Sequence, residues 1–183
     1  MEKYIDLSNS EHYNLIFELA MNIDESKVKN VLDSGSGKTS LSILHKLFPK
    51  SYIDAIVFNG DERKISSIME NIVSERCTII EMDICKEVIF KKYDVVLAHL
   101  LLGEAEKWGN SFEELFTRLV NIECEYLIIL DYKEDPSIDY HYLEVVLKDK
   151  FELITQGEIT KSQPQEFKRF IGKTYIAYLG KRK

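Results

Sequence analysis

Hydrophobic positions along the chain follow two periodicities, one typical of buried strands and one typical of amphipathic helices. Short apolar runs predict strands near residues 27–32, 52–58, 78–82, 95–99, 126–130, 151–155 and 174–179. Apolar residues recurring every three or four positions predict helices near residues 9–21, 38–48, 65–73, 111–120 and 143–147. The segment 103–109, with Trp108, is predicted to be a loop.

Local signals and the order of the elements predict the fold class. Ser8 with Glu11, and Ser111 with Glu114, have capping-box spacing, and Pro49 ends the helix that precedes it. Because parallel strands need helical crossovers, the alternation predicts a single-domain, doubly wound α/β sheet, mostly parallel, with an antiparallel C-terminal strand. We expect residues 1–26 to form an N-terminal helical cap and residues 27–183 the core. Ligands in such sheets bind beyond the carboxyl ends of the strands.

Composition narrows the class of protein. With 45% hydrophobic residues in 183, the chain can bury a core, which excludes disorder. The net charge of −7 argues against a general nucleic-acid binder. Three scattered cysteines argue against a disulfide framework or a zinc site. With no signal-peptide pattern or membrane-length apolar run, we expect a cytoplasmic protein without a membrane partner.

Charge is unevenly distributed along the chain. Residues 161–183 hold seven basic residues and one acidic residue, a local +6 that leaves −13 on residues 1–160. The basic residues are Lys161, Lys168, Arg169, Lys173, Lys181, Arg182 and Lys183. Lysines at sheet edges discourage edge pairing, which favours a solvated edge over an RNA-binding patch. Because the acidic body would repel a long polyanion, and no aromatic-interleaved motif for base stacking is evident there apart from Phe167 and Phe170, we predict no nucleic-acid partner.

The segment 31–40, VLDSGSGKTS, is the most informative stretch, and one hypothesis for it is a P-loop. Gly37, Lys38 and Thr39 match the end of the phosphate-binding signature, but Leu32 stands where its first glycine belongs. Asp131, at the end of an apolar strand, would then hold magnesium. A small nucleotide kinase or NTPase is therefore one alternative.

The same segment resembles the first motif of class I S-adenosylmethionine-dependent methyltransferases, usually Asp-x-Gly-x-Gly-x-Gly. Asp33, Gly35 and Gly37 match it, and Thr39 replaces the third glycine. The resemblance implies a Rossmann-like fold and S-adenosyl-L-methionine as cofactor. It also implies that the cofactor's methionine end contacts the loop after the first strand, formed by Asp33, Ser34, Gly35, Ser36 and Gly37.

Later positions resemble the same family in order and spacing. The family places an acid after the second strand to hold the ribose. Asn59 occupies that position in this sequence, with Asp61 two residues later. We expect Asp61 to be the main contact, with Asn59 as a lesser one, because a carboxylate holds a diol more strongly than an amide does. Asp83 and Ile84 match the adenine site after the third strand. The fourth strand, ending in Ala98 and His99, is expected to face the methyl group.

Methyl transfer requires alignment of the acceptor and, for a hydroxyl or amine, removal of a proton. His99 is the best-placed general base by sequence, and Glu104 is second. His12, His45 and His141 are dispersed, so we expect no metal. The charge distribution favours a small-molecule acceptor. Because little sequence is left for a separate substrate domain, we expect that acceptor to be covered by the N-terminal helix, the 103–109 loop or another subunit. Two alternatives for the protein remain: an RNA methyltransferase and a catalytically silent cofactor-binding protein. For single residues, Asp33 and Asp83 could instead cap the helices that follow them, and His99 could be structural.

Overall fold

A seven-stranded mixed sheet organises the chain in the computed structural model, which describes residues 11–58, 75–160 and 174–183. The strands are β1 (Asn30–Asp33), β2 (Tyr52–Val57), β3 (Cys77–Glu81), β4 (Tyr93–His99), β5 (Cys124–Tyr132), β6 (Phe151–Thr160) and β7 (Thr174–Arg182). The α-helices of the described ranges are α1 (Glu11–Ala20), α2 (Lys38–Leu47), α3 (Phe112–Asn121) and α4 (Tyr140–Lys150). Short 3-10 helices span Glu25–Lys27 and Leu102–Trp108.

The strand order is β3-β2-β1-β4-β5-β7-β6. Strands β1 to β5 are parallel, whereas β7 lies between β5 and β6 and is antiparallel to both. This arrangement confirms the predicted fold class. The chain moves outward from β1 to β2 and β3, then returns to the other side of β1 with β4. Strand order therefore reverses between β1 and β4, where open α/β sheets bind their ligands.

The core lies on both faces of the sheet because alternate strand residues point to opposite sides. On one face, Val31, Val95 and Leu97 pack with residues of α1 and α2. On the other, Leu32, Val96 and Ala98 pack with residues of α3 and α4. Strand alternation thus directs the final residue of β4, His99, toward the α1 face.

Two sequence signals for helix ends are seen directly in the structure. Ser111 Oγ accepts the Glu114 N–H at 3.1 Å, and the Glu114 carboxylate accepts the Ser111 N–H at 3.0 Å, which is the predicted capping box. Helix α2 ends just before Pro49, as predicted. The predicted capping residue Ser8 and the helix predicted near residues 65–73 lie outside the described residues.

The structure differs from the sequence prediction after β4. Residues 103–109 were predicted to be a loop, but Leu102–Trp108 is a 3-10 helix. It forms because the Asp131 carboxylate accepts the Leu102 N–H at 2.8 Å and Gly109 ends it at φ 74°. Strand β6 also continues to Thr160, five residues further than predicted, because it pairs with β7 along its length. Helix α1 packs on the sheet through Leu15, Ile16 and Leu19. The division of the chain into an N-terminal helical cap (residues 1–26) and a core (residues 27–183) stays a prediction.

No helix within the three described ranges is long and apolar enough to cross a membrane.

Candidate functional site

The loop after β1 is held in shape by its own serines. The Ser34 N–H and Oγ both donate to the Leu97 carbonyl, at 3.0 and 2.7 Å, which ties the loop to β4. The Ser36 N–H donates to the Ile56 carbonyl at 2.7 Å, which ties it to β2, and its Oγ donates to the Asp33 carbonyl. Both serines are buried. The loop is thus fixed between the ends of three neighbouring strands.

Asp33 ends β1 with a fully buried carboxylate. Its Oδ2 lies 2.6 Å from Ser40 Oγ, in the first turn of α2, and Ser40 Oγ accepts the Gly37 N–H at 3.0 Å. A negative charge beside a helix N-terminus is stabilised by the helix dipole. Asp33 therefore organises the start of α2, as a capping role would require.

Gly35 is the point where the loop meets the segment after β4. A Cβ at Gly35 would lie 2.6 Å from Leu101 Cδ1, closer than van der Waals contact allows. A side chain at residue 35 would therefore force the Leu101 side chain to move.

The segment from Leu100 to Gly109 crosses the switch point from β4 to the end of β2. Leu100 has a φ of 51°, a left-handed conformation that is strained for leucine. At the far end, Trp108 stacks on Phe58 with ring centroids 4.9 Å apart and planes 8° from parallel. Because Leu101 also contacts Gly35, we call residues 100–109 the cover segment.

Asp131 anchors the start of the cover segment. Its carboxylate accepts the N–H groups of Leu102 and Tyr132, both at 2.8 Å. Burial raises the pKa of Asp131 to about 6, even though these N–H donors act to lower it. The oxygens that a P-loop mechanism would assign to magnesium are therefore bound to backbone.

Asp83 follows β3 and is nearly buried. Its Oδ1 accepts the Cys85 N–H at 3.0 Å, and Oδ2 lies 2.8 Å from Lys86 Nζ. This carboxylate caps the turn after β3, and the ion pair raises the pKa of Lys86. A carboxylate has about four lone-pair positions, so capping and adenine binding are compatible at Asp83.

His99 lies in a chain of hydrogen bonds that the sequence did not reveal. Its Nε2 is 3.0 Å from Nδ1 of His12 in α1, and His12 Nε2 is 3.1 Å from the hydroxyl of Tyr175 in β7. In the sequence, His12 is one of several dispersed histidines. The only sequence signal for these contacts was that α1 had to cover a sheet face ending in His99. His12 is 87 residues from His99 and 163 residues from Tyr175, so no local pattern could indicate either contact.

The remaining predicted residues have varied environments. Ala98 is buried among apolar residues on the α3 and α4 face, and Ile84 belongs to the same cluster. Glu104, in the cover segment, pairs with Lys107. Asn59 and Asp61 lie outside the described residues, so the expected ribose contact stays a prediction. Among the described residues, no cluster of three His, Cys, Asp or Glu side chains could hold a metal.

Three residues of the basic C-terminal end are described, and each has a structural contact. Arg182 donates to the carbonyls of Val120 and Ile122, Lys183 donates to the Lys148 carbonyl, and Lys181 lies 3.9 Å from Glu125. The other four basic residues of that end lie outside the described ranges.

Known structures share this architecture. N-methyltransferase NodS from Bradyrhizobium japonicum WM9, in complex with S-adenosyl-L-homocysteine, matches 96% of this chain and 90% of its own at 12% identity, with a TM-score of 0.68. StiE O-MT matches 93% of this chain and 74% of its own at 16% identity, with a TM-score of 0.65. An rRNA methylase from Escherichia coli matches 93% and 64% at 15% identity, with a TM-score of 0.61.

The chain has the class I methyltransferase fold. No protein-family model matches its sequence, and no curated protein matches it. At identities of 10–16%, similarity to these structures establishes the methyltransferase fold and no particular substrate.

The residues at the switch point fit the cofactor of this fold in their chemistry. Buried carboxylates end β1 and β3 at the same sheet edge, where a positively charged methionine end and an adenine amine would each find an acceptor. Between them lies a backbone loop in which Gly35 has no side chain. The cover segment lies beside this loop, with Leu101 next to Gly35 and Trp108 stacked on Phe58.

Proposed function

We propose that this protein is an S-adenosylmethionine-dependent methyltransferase that acts on a small-molecule acceptor. One observation carries the proposal: the glycine loop with the buried Asp33 follows β1 at the switch point of a class I methyltransferase fold, and the buried Asp83 follows β3 at the same edge of the sheet. Structural similarity to methyltransferases supports the reaction type.

In this proposal the chain's residues bind and orient, and the bound cofactor supplies a methyl group on a positively charged sulfur. The loop of residues 33–37 holds the methionine end, Asp83 and Ile84 hold the adenine, and Asp61 holds the ribose with Asn59 as a lesser contact. Leu101 and Trp108 exclude water by closing the cleft. His99 removes the acceptor's proton, and Glu104 is the second candidate for that role.

The charge distribution favours a small acceptor over RNA. Lys181, Arg182 and Lys183 are engaged in intramolecular contacts, and the body of the protein is acidic. Long polyanions are repelled by such a surface. Because an rRNA methylase has the same fold, RNA is the alternative acceptor that an experiment has to exclude.

The P-loop alternative is less well supported by the geometry. The Asp131 carboxylate holds the Leu102 and Tyr132 N–H groups, and β5 is separated from β1 by β4. Binding of a triphosphate with magnesium would require Asp131 to exchange these bonds for a metal.

A thermal-shift comparison tests the reaction class. S-adenosylhomocysteine is expected to raise the melting temperature, with a stabilisation of about 2.7 kcal/mol at a concentration 100 times its Kd. ATP with magnesium is expected to produce no comparable shift. A shift with ATP and magnesium alone would overturn the methyltransferase proposal in favour of the P-loop.

Fluorescence anisotropy of labelled bulk RNA at about 50 and 200 mM salt tests the acceptor class. We expect no submicromolar binding at either salt concentration. Tight binding at the lower salt that collapses at the higher would replace the small molecule with RNA.

A further inference from the structure

Strand β6 forms one edge of the sheet, since the strand order ends with β7 and then β6. Apart from one irregularity between Leu153 and Thr155, β7 pairs with one side of β6 along its whole length. Within the described ranges, no strand pairs with its other side. Every second residue of an edge strand directs its N–H and C=O groups away from the sheet. At 3.4 Å per residue, the ten residues of β6 give an edge about 34 Å long.

The middle of β6 is exposed on both of its faces. All four residues of the run 154–157 are exposed, Ile154 by 40%, although neighbouring residues of a strand point to opposite faces. A Cβ on Gly157 would meet no atom within 4 Å. Glycine inside a strand often marks a place where another backbone approaches closely. A second strand can therefore reach this edge without displacing a helix.

This edge lacks the residues that usually keep free strand edges apart. Lysine and proline have that effect on edge strands. The sequence of β6, FELITQGEIT, contains neither. The basic C-terminal end suggested a solvated edge guarded by lysines, but the strand that carries Lys181 is β7, which lies inside the sheet between β5 and β6. The outer edge of β6 is thus open to pairing.

A second copy of the chain offers the matching edge. Two identical antiparallel edges related by a two-fold axis bring N–H groups opposite C=O groups, so such an edge is its own complement. Charge restricts where the axis lies. An axis beside Thr155 would place residue 152 opposite residue 158, both of them glutamates, and like charges directly opposite each other are destabilising. An axis beside Gln156 removes that pairing and places Thr155 opposite Gly157 of the second copy.

We propose that β6 is a homodimer interface, in which it pairs antiparallel with β6 of a second copy about a two-fold axis beside Gln156. The two seven-stranded sheets then form one continuous sheet. A single strand pair buries less than the roughly 800 Å² per partner of a standard interface, so the dimer is weak and depends on concentration. Because β5 and β7 separate β6 from β4, dimerisation leaves the switch point open.

Sedimentation velocity of the full-length protein, at concentrations from about 1 µM to about 1 mM, measures the self-association. We expect a shift from monomer to dimer as concentration rises. Hydrogen exchange of the same samples should slow in β6 at the higher concentration and stay unchanged in β3, at the opposite end of the strand order. A protein that stays monomeric throughout, or a dimer in which exchange of β6 does not slow, would overturn the proposal.

Lysine substitutions in the strand sharpen the test. With Thr155→Lys and Gly157→Lys together, lysines of the two copies lie opposite each other, and the dissociation constant of the dimer should rise about tenfold or more. Both positions are exposed, so the monomer should keep its fold and its circular dichroism spectrum.

The control combines Phe90→Lys with Val145→Lys. It adds the same charge at two apolar side chains outside β6, which are 91% and 54% exposed. This variant should dimerise like wild type. An unchanged dissociation constant in the strand variant, or an equal loss of dimer in the control, would show that the copies associate through another surface and would overturn the proposal.

Discussion

The loop after β1 and the cover segment after β4 leave neighbouring parallel strands at the same edge, yet they are built in opposite ways. The first is four residues long, and its serines donate to the carbonyls of Asp33, Ile56 and Leu97. The cover segment is ten residues long, begins with a strained Leu100, buries Leu101, Leu102 and Ala105 in the core, and has a polar contact at its start and an aromatic contact at its end. Those contacts are Asp131 at its start and Phe58 at its end.

The two regions therefore differ in how rigidly they are held. The loop's hydrogen bonds are made by buried serines and tie it to β1, β2 and β4, so its shape is set before any ligand arrives. The first half of the cover segment is also fixed, because Leu101, Leu102 and Ala105 are buried in the core. Its second half is exposed apart from Trp108, which stacks on Phe58, and segments with few buried contacts open at lower free energy. We therefore expect substitutions in the loop to remove cofactor binding and substitutions in the cover segment to alter it.

The largest expected effect is that of Gly35→Val, at the contact between the two regions. The added side chain would collide with Leu101, and overpacking of this kind lowers the free energy of unfolding by about 3 kcal/mol at the upper end of its usual range. Binding of S-adenosylhomocysteine should fall below detection by calorimetry. The double variant with Leu101→Ala, which restores space, should recover part of the stability. Normal binding by folded Gly35→Val would show that this is not the cofactor loop.

Asp131→Asn is expected to change how stability depends on pH. Because burial raises the pKa of Asp131 from 3.8 to about 6, the folded state favours the protonated acid. This contribution to stability is fully present below the unfolded pKa and is lost as pH rises through about 6. The stability of wild type relative to Asp131→Asn should therefore fall by up to about 3 kcal/mol between pH 4 and pH 8.

Urea unfolding of both proteins across that range measures the difference directly. Asp24→Asn is a suitable control because Asp24 is exposed and its hydrogen bond with Ser26 lowers its pKa, the opposite direction. A constant difference between wild type and Asp131→Asn would show that Asp131 has no raised pKa.

Asp83→Ala should weaken S-adenosylhomocysteine binding by about 1–3 kcal/mol, the usual cost of removing one buried hydrogen-bond partner. Calorimetric titration of the folded variant measures it. Lys86→Met is the matched control, since it removes the exposed partner of the ion pair and keeps the carboxylate. An unchanged affinity in Asp83→Ala, or an equal loss in Lys86→Met, would exclude a direct contact between Asp83 and the ligand.

The smallest effect is expected for the stack of Trp108 on Phe58. Such a pair contributes about 0.5–1.5 kcal/mol beyond its buried area, so a double-mutant cycle with Trp108→Leu and Phe58→Leu should give a coupling in that range. Trp108 is the only tryptophan, so its fluorescence reports on the cover segment alone. We expect S-adenosylhomocysteine to shift its emission. An emission unchanged at saturation would mean that the segment does not respond to the cofactor.

The sequence was most informative where function and fold depend on short-range spacing. Asp33, Gly35 and Gly37 are within five residues of each other, and Ser111 with Glu114 form a capping box because a helix places them one turn apart. Apolar runs identified all seven strands, since a strand covered on both faces is made almost entirely of apolar residues. The ends of those strands were less accurate, because pairing with a neighbour extends a strand beyond its apolar residues.

The sequence was least informative about contacts between distant elements. Asp131 was considered as a magnesium ligand, and its bond to the Leu102 N–H could not be anticipated because backbone donors carry no sequence signal. The stack of Trp108 on Phe58 joins residues on either side of β1 and depends on how far the segment after β4 reaches across it.

The amino-acid sequence by itself determined the doubly wound sheet and the position of the glycine loop, because hydrophobic periodicity and glycine spacing act within a few residues. Tertiary structure alone decided which side chains meet at the carboxyl edge. Whether His99 faces α1 depends on the residue at which β4 ends, since each step along a strand reverses the side-chain direction. Its pairing with His12 depends in turn on how α1 packs, through Leu15, Ile16 and Leu19, over β5 and β7. These are sums of many weak contacts across the whole fold, which no local pattern encodes.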